Sequence, residues 1–175
     1  MSNIAEAEAL IKKGFAIVPL KKEKKHNSDK EILERDYTIE HILNPINNAW
    51  DSDGNLGINL RKSNLIDIDL ETKEAIHFGS LWLPQNTLTL GSGTKGITHY
   101  FYRNDPCEES LTLDKSIAEY RCEGQTLVYG TTKDKKTGQM VERHWGRTTD
   151  PIIAPQFLKS IFCKISFASW LASCR

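Results

Sequence analysis

LIDIDLE, residues 65–71, alternates apolar and acidic side chains, which is the pattern of a β-strand with two unlike faces. Successive side chains of a strand point to opposite faces, so the apolar residues share one face while Asp67 and Asp69 share the other. The two carboxylates would lie about 6–7 Å apart along the strand. Like charges in a half-buried place repel each other, and a divalent cation relieves that repulsion. The stretch therefore predicts either a site for Mg²⁺ or Mn²⁺, which prefer carboxylate oxygens, or two aspartates on the solvent face of an ordinary strand.

Further strands surround this one in the sequence, and helices are expected towards the ends of the chain. Apolar residues recur at helical spacing over residues 4–13 and again from Phe157 onward, and Thr38 is a candidate N-cap of another helix. The other strand-like runs are FAIVPL (15–20), NLGINL (55–60), NTLTLG (86–91), THYFYR (98–103), SIAEYR (116–121) and TLVYGTT (126–132). This arrangement predicts an α+β fold, with mixed or antiparallel central sheets flanked by helices.

The composition limits the classes of function. The chain has 175 residues with 23 basic and 23 acidic side chains, so its formal net charge is zero and any contact with nucleic acid should be local and weak. The lysine-rich stretch at residues 21–25 is either a solvated loop or a contact for a phosphate backbone. The four cysteines lack zinc-like spacing, and neither a signal peptide nor a membrane span is visible. We therefore expect free thiols in a cytoplasmic protein that has no membrane partner.

A glycine-rich loop, GSGTKG, precedes the strand THYFYR. Its backbone N–H groups and its lysine could approach a phosphate, although an ordinary glycine-rich hairpin would have the same sequence character. The candidate phosphate-binding residues are Ser92, Gly93, Thr94 and Lys95. The order of residues is not that of a P-loop, and a strand follows where a P-loop has a helix. His99, on that strand, is either a structural residue or a donor to a triphosphate oxygen.

Glu119 and Arg121 share one face of the strand SIAEYR. The simplest interpretation is a salt bridge between the two side chains. The alternative is that the glutamate is a third metal ligand and the arginine a cation that binds phosphate.

The order of these segments resembles the primase–polymerase (Prim-Pol) domain of the archaeo-eukaryotic primase superfamily. That family has a helix leading to a proline-bearing strand, a glycine-bearing strand before a hydrophobic-Asp-x-Asp/Glu strand, a glycine-rich loop ending in His-aromatic, and a hydrophobic-acid-x-Arg strand. The matching segments are ALIKKGFAIVPL, NLGINL with LIDIDLE, SGTKGITHYFY and IAEYRCEGQTLVYG. The resemblance covers roughly residues 6–155, and its specificity lies in the order and spacing of the segments.

The resemblance implies roles for individual residues. Asp67 and Asp69 correspond to the first two metal ligands, and Glu119 would complete the acidic triad. His99 would contact the phosphates of the incoming nucleotide, together with the loop at residues 92–96. Arg121 lies where the family often has a basic residue.

The resemblance also implies an activity. The chain would be a DNA primase or DNA polymerase that joins nucleotides with two divalent metal ions and releases pyrophosphate. Its partners would be a DNA template or primer, a dNTP or NTP substrate, and a replicative helicase in cis or in trans. Residues 1–175 would form a single primase–polymerase catalytic domain with a primase-like core, either alone or as part of a longer replication protein.

Three departures and two rival classes of function stand beside this interpretation. Ile97 occupies a position where many superfamily members have serine, the family's proline-rich segment after the third motif is reduced here to YGTTKD, and no zinc-binding cysteine module is visible. One rival is a non-catalytic nucleic-acid-binding or replication-initiation module with a primase-like fold. Another is a metal-dependent nuclease or sugar-nucleotide transferase that uses the two aspartates.

Overall fold

The computed structural model describes residues 3–23, 35–38, 40–41, 54–104, 110–114, 116–134 and 137–174, without the side chains of residues 94 and 113. Within these residues the fold is α+β with antiparallel sheets, as the sequence predicts. The helices are α1 (Asn3–Lys12), α2 (Lys73–Trp82) and α3 (Leu158–Ser173). The strands are β1 (Ile17–Leu20), β2 (Asn55–Asn59), β3 (Leu65–Leu70), β4 (Leu88–Ser92), β5 (Ile97–Arg103), β6 (Leu111–Asp114), β7 (Ala118–Arg121), β8 (Gln125–Tyr129), β9 (Thr131–Lys133) and β10 (Met140–Arg147). The chain divides into two compact units, Met1–Ser63 with Gly124–His144, and Asn64–Glu123 with Trp145–Arg175.

The first unit contains α1, the antiparallel sheet β1-β2-β8, and a β-hairpin of β9 with the beginning of β10. The helix ends where expected: Gly14 has a positive φ of 78°, its N–H donates to the carbonyl of Ile11, and the N–H of Phe15 donates to Leu10. TLVYGTT, predicted as one strand, is two strands separated by Gly130, whose φ is 108°. The side chain of Asn55 fixes this break, because it bonds both the N–H and the carbonyl of Thr131.

The second unit contains a five-stranded antiparallel sheet in the order β6-β7-β3-β5-β4, which the last residues of β10 extend. Helices α2 and α3 cover one face of this sheet. The apolar side chains of β3 meet both helices there, in a core that includes Ile66, Ile68, Leu70, Tyr100, Tyr102, Ala75, Phe162 and Ile165. The central strand β3 is buried along its whole length, so its acidic face is held rigidly on the side away from the helices.

Helix α2 and strand β6 were not anticipated from the sequence. The helix begins at Thr72, whose Oγ1 accepts a hydrogen bond from the N–H of Ala75 at 3.1 Å. The helix predicted from Thr38 is described only at its start, where His41 donates its N–H to the Thr38 hydroxyl at 3.4 Å. The rest of that helix lies outside the described residues.

The structure bears on the predictions about the cysteines, the membrane spans and the lysine-rich stretch. Cys122, Cys163 and Cys174 are free thiols, as predicted, whereas Cys107 lies outside the described residues. No helix in the described part of the chain has both the length and the apolar character needed to cross a bilayer. In the lysine-rich stretch, Lys21 and Lys22 are exposed, and the lysines at 24 and 25 are not among the described residues.

Candidate active site

Strand pairing brings the residues singled out from the sequence onto one face of the sheet. Asp69 on β3 pairs with His99 on β5 and with Glu119 on β7. Asp67 pairs with Arg121 on β7 in the same manner. Paired residues on neighbouring strands point to the same face, so two adjacent rows of polar side chains cross the centre of the sheet. All five residues lie within the second unit.

Both aspartates are more buried than the sequence suggested. The residue exposure is 0% for Asp67, 8% for Asp69 and 3% for His99. A pair of aspartates on the solvent face of an ordinary strand would be exposed, so the structure excludes that interpretation. Carboxylates in such a place need close positive partners, because an isolated buried charge is strongly unfavourable.

His99 contacts both aspartates. Its Nδ1 lies 3.1 Å and 3.2 Å from the two carboxylate oxygens of Asp67, and 3.5 Å from Oδ1 of Asp69. The imidazole stacks on the ring of Phe101, with a centroid separation of 6.2 Å and an interplanar angle of 14°. Side-chain contacts and stacking therefore fix the orientation of the histidine.

Arg121 is the positively charged partner of the two aspartates. Its Nη2 contacts Oδ2 of Asp67 and lies 3.1 Å from Oδ2 of Asp69, so one nitrogen bridges the two carboxylates. Burial opposes the positive charge of Arg121, but the negative charges of Asp67, Asp69 and Glu119, together with the hydrogen bond that Arg121 donates to Asp67, raise its pKa above the ordinary value. The arginine is therefore charged, and it is directed at the two aspartates rather than held in the simple Glu119 salt bridge that the sequence allowed.

The donor set fits a divalent metal ion. Asp67, Asp69 and His99 each offer a ligand atom, and these atoms lie within 4.8 Å of one another on a rigid, buried sheet. Carboxylate oxygens suit Mg²⁺ and Mn²⁺, and an imidazole nitrogen is more acceptable to Mn²⁺. This group could therefore hold a metal ion, which supports the metal chemistry predicted from the sequence. The group includes His99, to which the resemblance assigns contact with phosphate instead.

Glu119 has a different environment. It is half-buried, lies opposite Asp69 across the β3–β7 pairing, and is close enough for its charge to act on Arg121. It is not a member of the tight group formed by Asp67, Asp69 and His99. Its role as the third metal ligand stays a prediction.

The glycine-rich loop lies at the same end of the sheet as His99. Ser92 is the last residue of β4, Gly93–Lys95 form a 3₁₀ turn, and β5 begins just before the histidine. Gly96 has a positive φ of 83°, and its carbonyl accepts the N–H of Ser92 at 3.3 Å, which closes the loop. Lys95 is exposed and Ser92 is buried. The position suits an anionic ligand near His99, and the role of these residues in binding phosphate stays a prediction.

Two residues of the site face were missed. Phe101 supports the His99 ring and also contacts the ring of Trp145 on β10, with centroids 6.4 Å apart. Alternation in THYFYR already placed Phe101 on the face of His99, so its supporting role could have been inferred. Trp145 is 46 residues beyond His99 in the numbering, and no local pattern links the two.

A family model described as "Bifunctional DNA primase/polymerase, N-terminal" matches residues 7–157. The match confirms the resemblance drawn from the sequence, and it includes every candidate site residue. A search of curated proteins gives no match.

Proposed function

This chain belongs to the bifunctional DNA primase/polymerase family, and on that basis we propose that it is a template-directed nucleotidyltransferase. It joins nucleotides on a DNA template and releases pyrophosphate. The substrates are dNTPs or NTPs, and a DNA primer or a first nucleotide supplies the attacking hydroxyl.

One observation carries the proposal. Asp67 and Asp69 are buried side by side on the central strand, and His99 lies within hydrogen-bond distance of Asp67. A module that only binds nucleic acid gains nothing from a buried acidic pair, since DNA carries negative charge and carboxylates repel it. Such a pair becomes useful when it holds cations that face phosphate.

We assign the carboxylates Asp67, Asp69 and Glu119 to the metal ions, which are Mg²⁺ or Mn²⁺. When bound, two such ions would activate the attacking hydroxyl and neutralise the charge of the leaving pyrophosphate. The rigid sheet holds the carboxylates in place, so little reorganisation is needed when substrate binds.

The triphosphate is assigned to the neighbouring basic and loop residues. Because Nδ1 of His99 faces the carboxylates, Nε2 is the ring atom that would meet a phosphate oxygen. Arg121 retains a side-chain exposure of 19%, so a bound phosphate can reach its guanidinium. The loop adds backbone donors and the charge of Lys95. The candidate nucleotide-binding residues are Ser92, Gly93, Thr94, Lys95, His99 and Arg121.

The zero net charge makes local contacts with DNA the expected mode of binding. We propose that residues 21–25 provide one such contact and that residues 1–175, with both compact units, form one catalytic domain. A replicative helicase, in cis or in trans, is the expected protein partner. The cytoplasm is the expected location.

The test is incorporation of a labelled nucleotide on primed and unprimed DNA templates. The wild type should extend the primer in Mg²⁺ or Mn²⁺ and not in EDTA, and the double variant Asp67→Asn/Asp69→Asn should be inactive. Asp150→Asn, which removes an exposed carboxylate, is the matched control and should keep full activity. DNA binding without incorporation under every metal condition would favour the non-catalytic module, and degradation of the template would favour a nuclease.

A further inference from the structure

We infer that Trp145 is the side chain on which the base of the incoming nucleotide stacks. The inference rests on the proposed function and adds a binding residue for its substrate. It is carried by a row of three rings, His99, Phe101 and Trp145, on the face of the sheet that bears the aspartates.

The row of rings begins beside the carboxylates. In the pairing of β3 with β5, His99 lies opposite Asp69, and Phe101 lies opposite Asp67. The Phe101 ring stacks on the imidazole with centroids 6.2 Å apart, and the Trp145 ring follows at 6.4 Å from Phe101. The indole therefore lies at most two ring-to-ring steps from the histidine that we assign to the phosphates.

The row has a direction along β5. The glycine-rich loop with Lys95 comes before His99, and Phe101 comes after it. Phosphates held by the loop and by Nε2 of His99 would thus lie at the polar end of the row. The ribose of a nucleotide separates its base from its phosphates, so the base is directed towards the apolar end, where Trp145 lies.

Trp145 also has the accessibility that a stacking residue needs. Phe101 is fully buried, whereas Trp145 on β10 is only half-buried. The two rings meet at an angle of 58°, so Phe101 supports the indole without lying parallel to it. An aromatic ring at the edge of a phosphate site is the usual support for a base, because every base has a π-face that can stack.

The backbone that carries Trp145 is held firmly against β4. A Cβ at the next residue, Gly146, would overlap Ile97 and come very close to Thr89. The N–H of Arg147 donates to Oγ1 of Thr89 at 2.8 Å. Such close packing fixes the strand at this point, so little conformational freedom is lost when a ligand meets the indole.

The experiment compares the binding of dATP and of inorganic tripolyphosphate, which lacks a base, by calorimetry of the full chain in Mg²⁺ without DNA. Trp145→Leu keeps an apolar side chain beside Phe101 but cannot stack on a base. It should bind dATP about 5- to 150-fold more weakly than the wild type and should bind tripolyphosphate equally well. Trp145→Phe keeps a ring and should recover most of the dATP affinity. Trp170→Phe, which removes an exposed tryptophan of α3, is the matched control and should bind both compounds as the wild type does.

Tryptophan fluorescence gives a second readout that does not need the leucine variant to fold. Stacking of dATP should quench the fluorescence of the wild type and of Trp170→Phe, and Trp145→Phe should lose this quenching. Tripolyphosphate should quench none of the three proteins. Quenching by dATP that survives in Trp145→Phe would overturn the inference.

The comparison with tripolyphosphate separates stacking from support of the histidine. If Trp145→Leu weakened dATP and tripolyphosphate equally, Trp145 would act only through Phe101 on His99, and the inference would be wrong. Unchanged dATP affinity in that variant would overturn it as well. Base-dependent binding without template-directed incorporation would leave the inference intact and refute the proposed function. Incorporation by the wild type, with unchanged dATP affinity in Trp145→Leu, would do the reverse.

Discussion

Replacing Asp67 by Asn, or Arg121 by Gln, should destabilise the metal-free protein, and the two losses should be strongly coupled. The sequence alone suggests the opposite effect for the aspartate, since two adjacent carboxylates repel each other and removing one should relieve strain. The structure reverses the expected sign. Arg121 bridges the pair, so removal of either partner leaves a buried charge without its main counter-charge.

The magnitude follows from burial. Breaking a buried ion pair by removing one partner costs about 3–5 kcal/mol. The side chain of Asp67 is fully buried, whereas that of Arg121 keeps an exposure of 19%, and Asp69 remains to pair with the arginine. The lower end, about 3 kcal/mol, is therefore expected for each single variant. At roughly 2–4 °C per kcal/mol for a chain of this size, the melting temperature should fall by about 6–12 °C.

The assay is urea unfolding in EDTA, followed by far-UV circular dichroism, for the wild type, both single variants and the double variant. The double variant should lose less free energy of unfolding than the two single variants lose together, and the difference, which is the coupling energy, should be about 1–3 kcal/mol. Asp150→Asn removes an exposed carboxylate and should change stability by no more than about 0.5 kcal/mol. Additive losses, or an Arg121→Gln protein as stable as the wild type, would show that the guanidinium is not the counter-ion of the aspartates.

Other predictions concern the nucleotide, the metal, DNA and packing. His99→Ala should lower kcat/KM for nucleotide by about one to two decades, because a hydrogen bond to a charged phosphate oxygen is lost. The affinity for Mn²⁺, measured by calorimetry, should be retained. Loss of Mn²⁺ affinity with intact nucleotide affinity would instead make His99 a metal ligand. Glu119→Gln should weaken Mn²⁺ binding and incorporation without lowering the melting temperature, and unchanged Mn²⁺ affinity would remove it from the ligand set. Replacing the lysines of residues 21–25 by alanine should reduce the slope of DNA affinity against salt concentration, measured by fluorescence anisotropy. An unchanged slope would favour the interpretation of this stretch as a solvated loop. Gly79→Ala should lower the free energy of unfolding, measured in urea, by about 1–3 kcal/mol, because a Cβ there would overlap the side chain of Leu70. An unchanged free energy of unfolding would show that the helix can shift.

The sheet and the face of the site were predictable because strand side chains alternate with a period of two. That rule alone placed Asp67 with Asp69, and Glu119 with Arg121, on the correct faces of their strands. The pairing of β3 with both β5 and β7 then joined these faces. Burial was not predictable from the same rule, because it depends on how neighbouring strands surround β3.

The engagement of Arg121 was also beyond a local pattern. The sequence offered Glu119, two residues away, as the nearest partner for a salt bridge, whereas the structure directs the guanidinium to Asp67, which is 54 residues away in the chain. Such a contact follows from the register between two strands. Register is set by the whole sheet, so the sequence reasoning left both interpretations open.

Helix α2 was missed for a physical reason. Its buried residues are Ala75 and Gly79, which are small, so no stripe of large apolar side chains marks the face that meets the core. A Cβ at Gly79 would overlap the end of the Leu70 side chain, which favours glycine at this position. The local signals available were the N-cap at Thr72 and the acidic residue Glu74 in the first turn.

The most direct test of the central claim is whether incorporation obeys the template. On a primed homopolymer of deoxyadenylate in Mg²⁺ or Mn²⁺, the wild type should add only the complementary thymidine nucleotide and release one pyrophosphate for each nucleotide joined. Incorporation should cease in EDTA and in the Asp67→Asn/Asp69→Asn variant. Addition that ignores the template, or activity that survives loss of both carboxylates, would contradict the assignment of this site as a metal-dependent, template-directed polymerase centre.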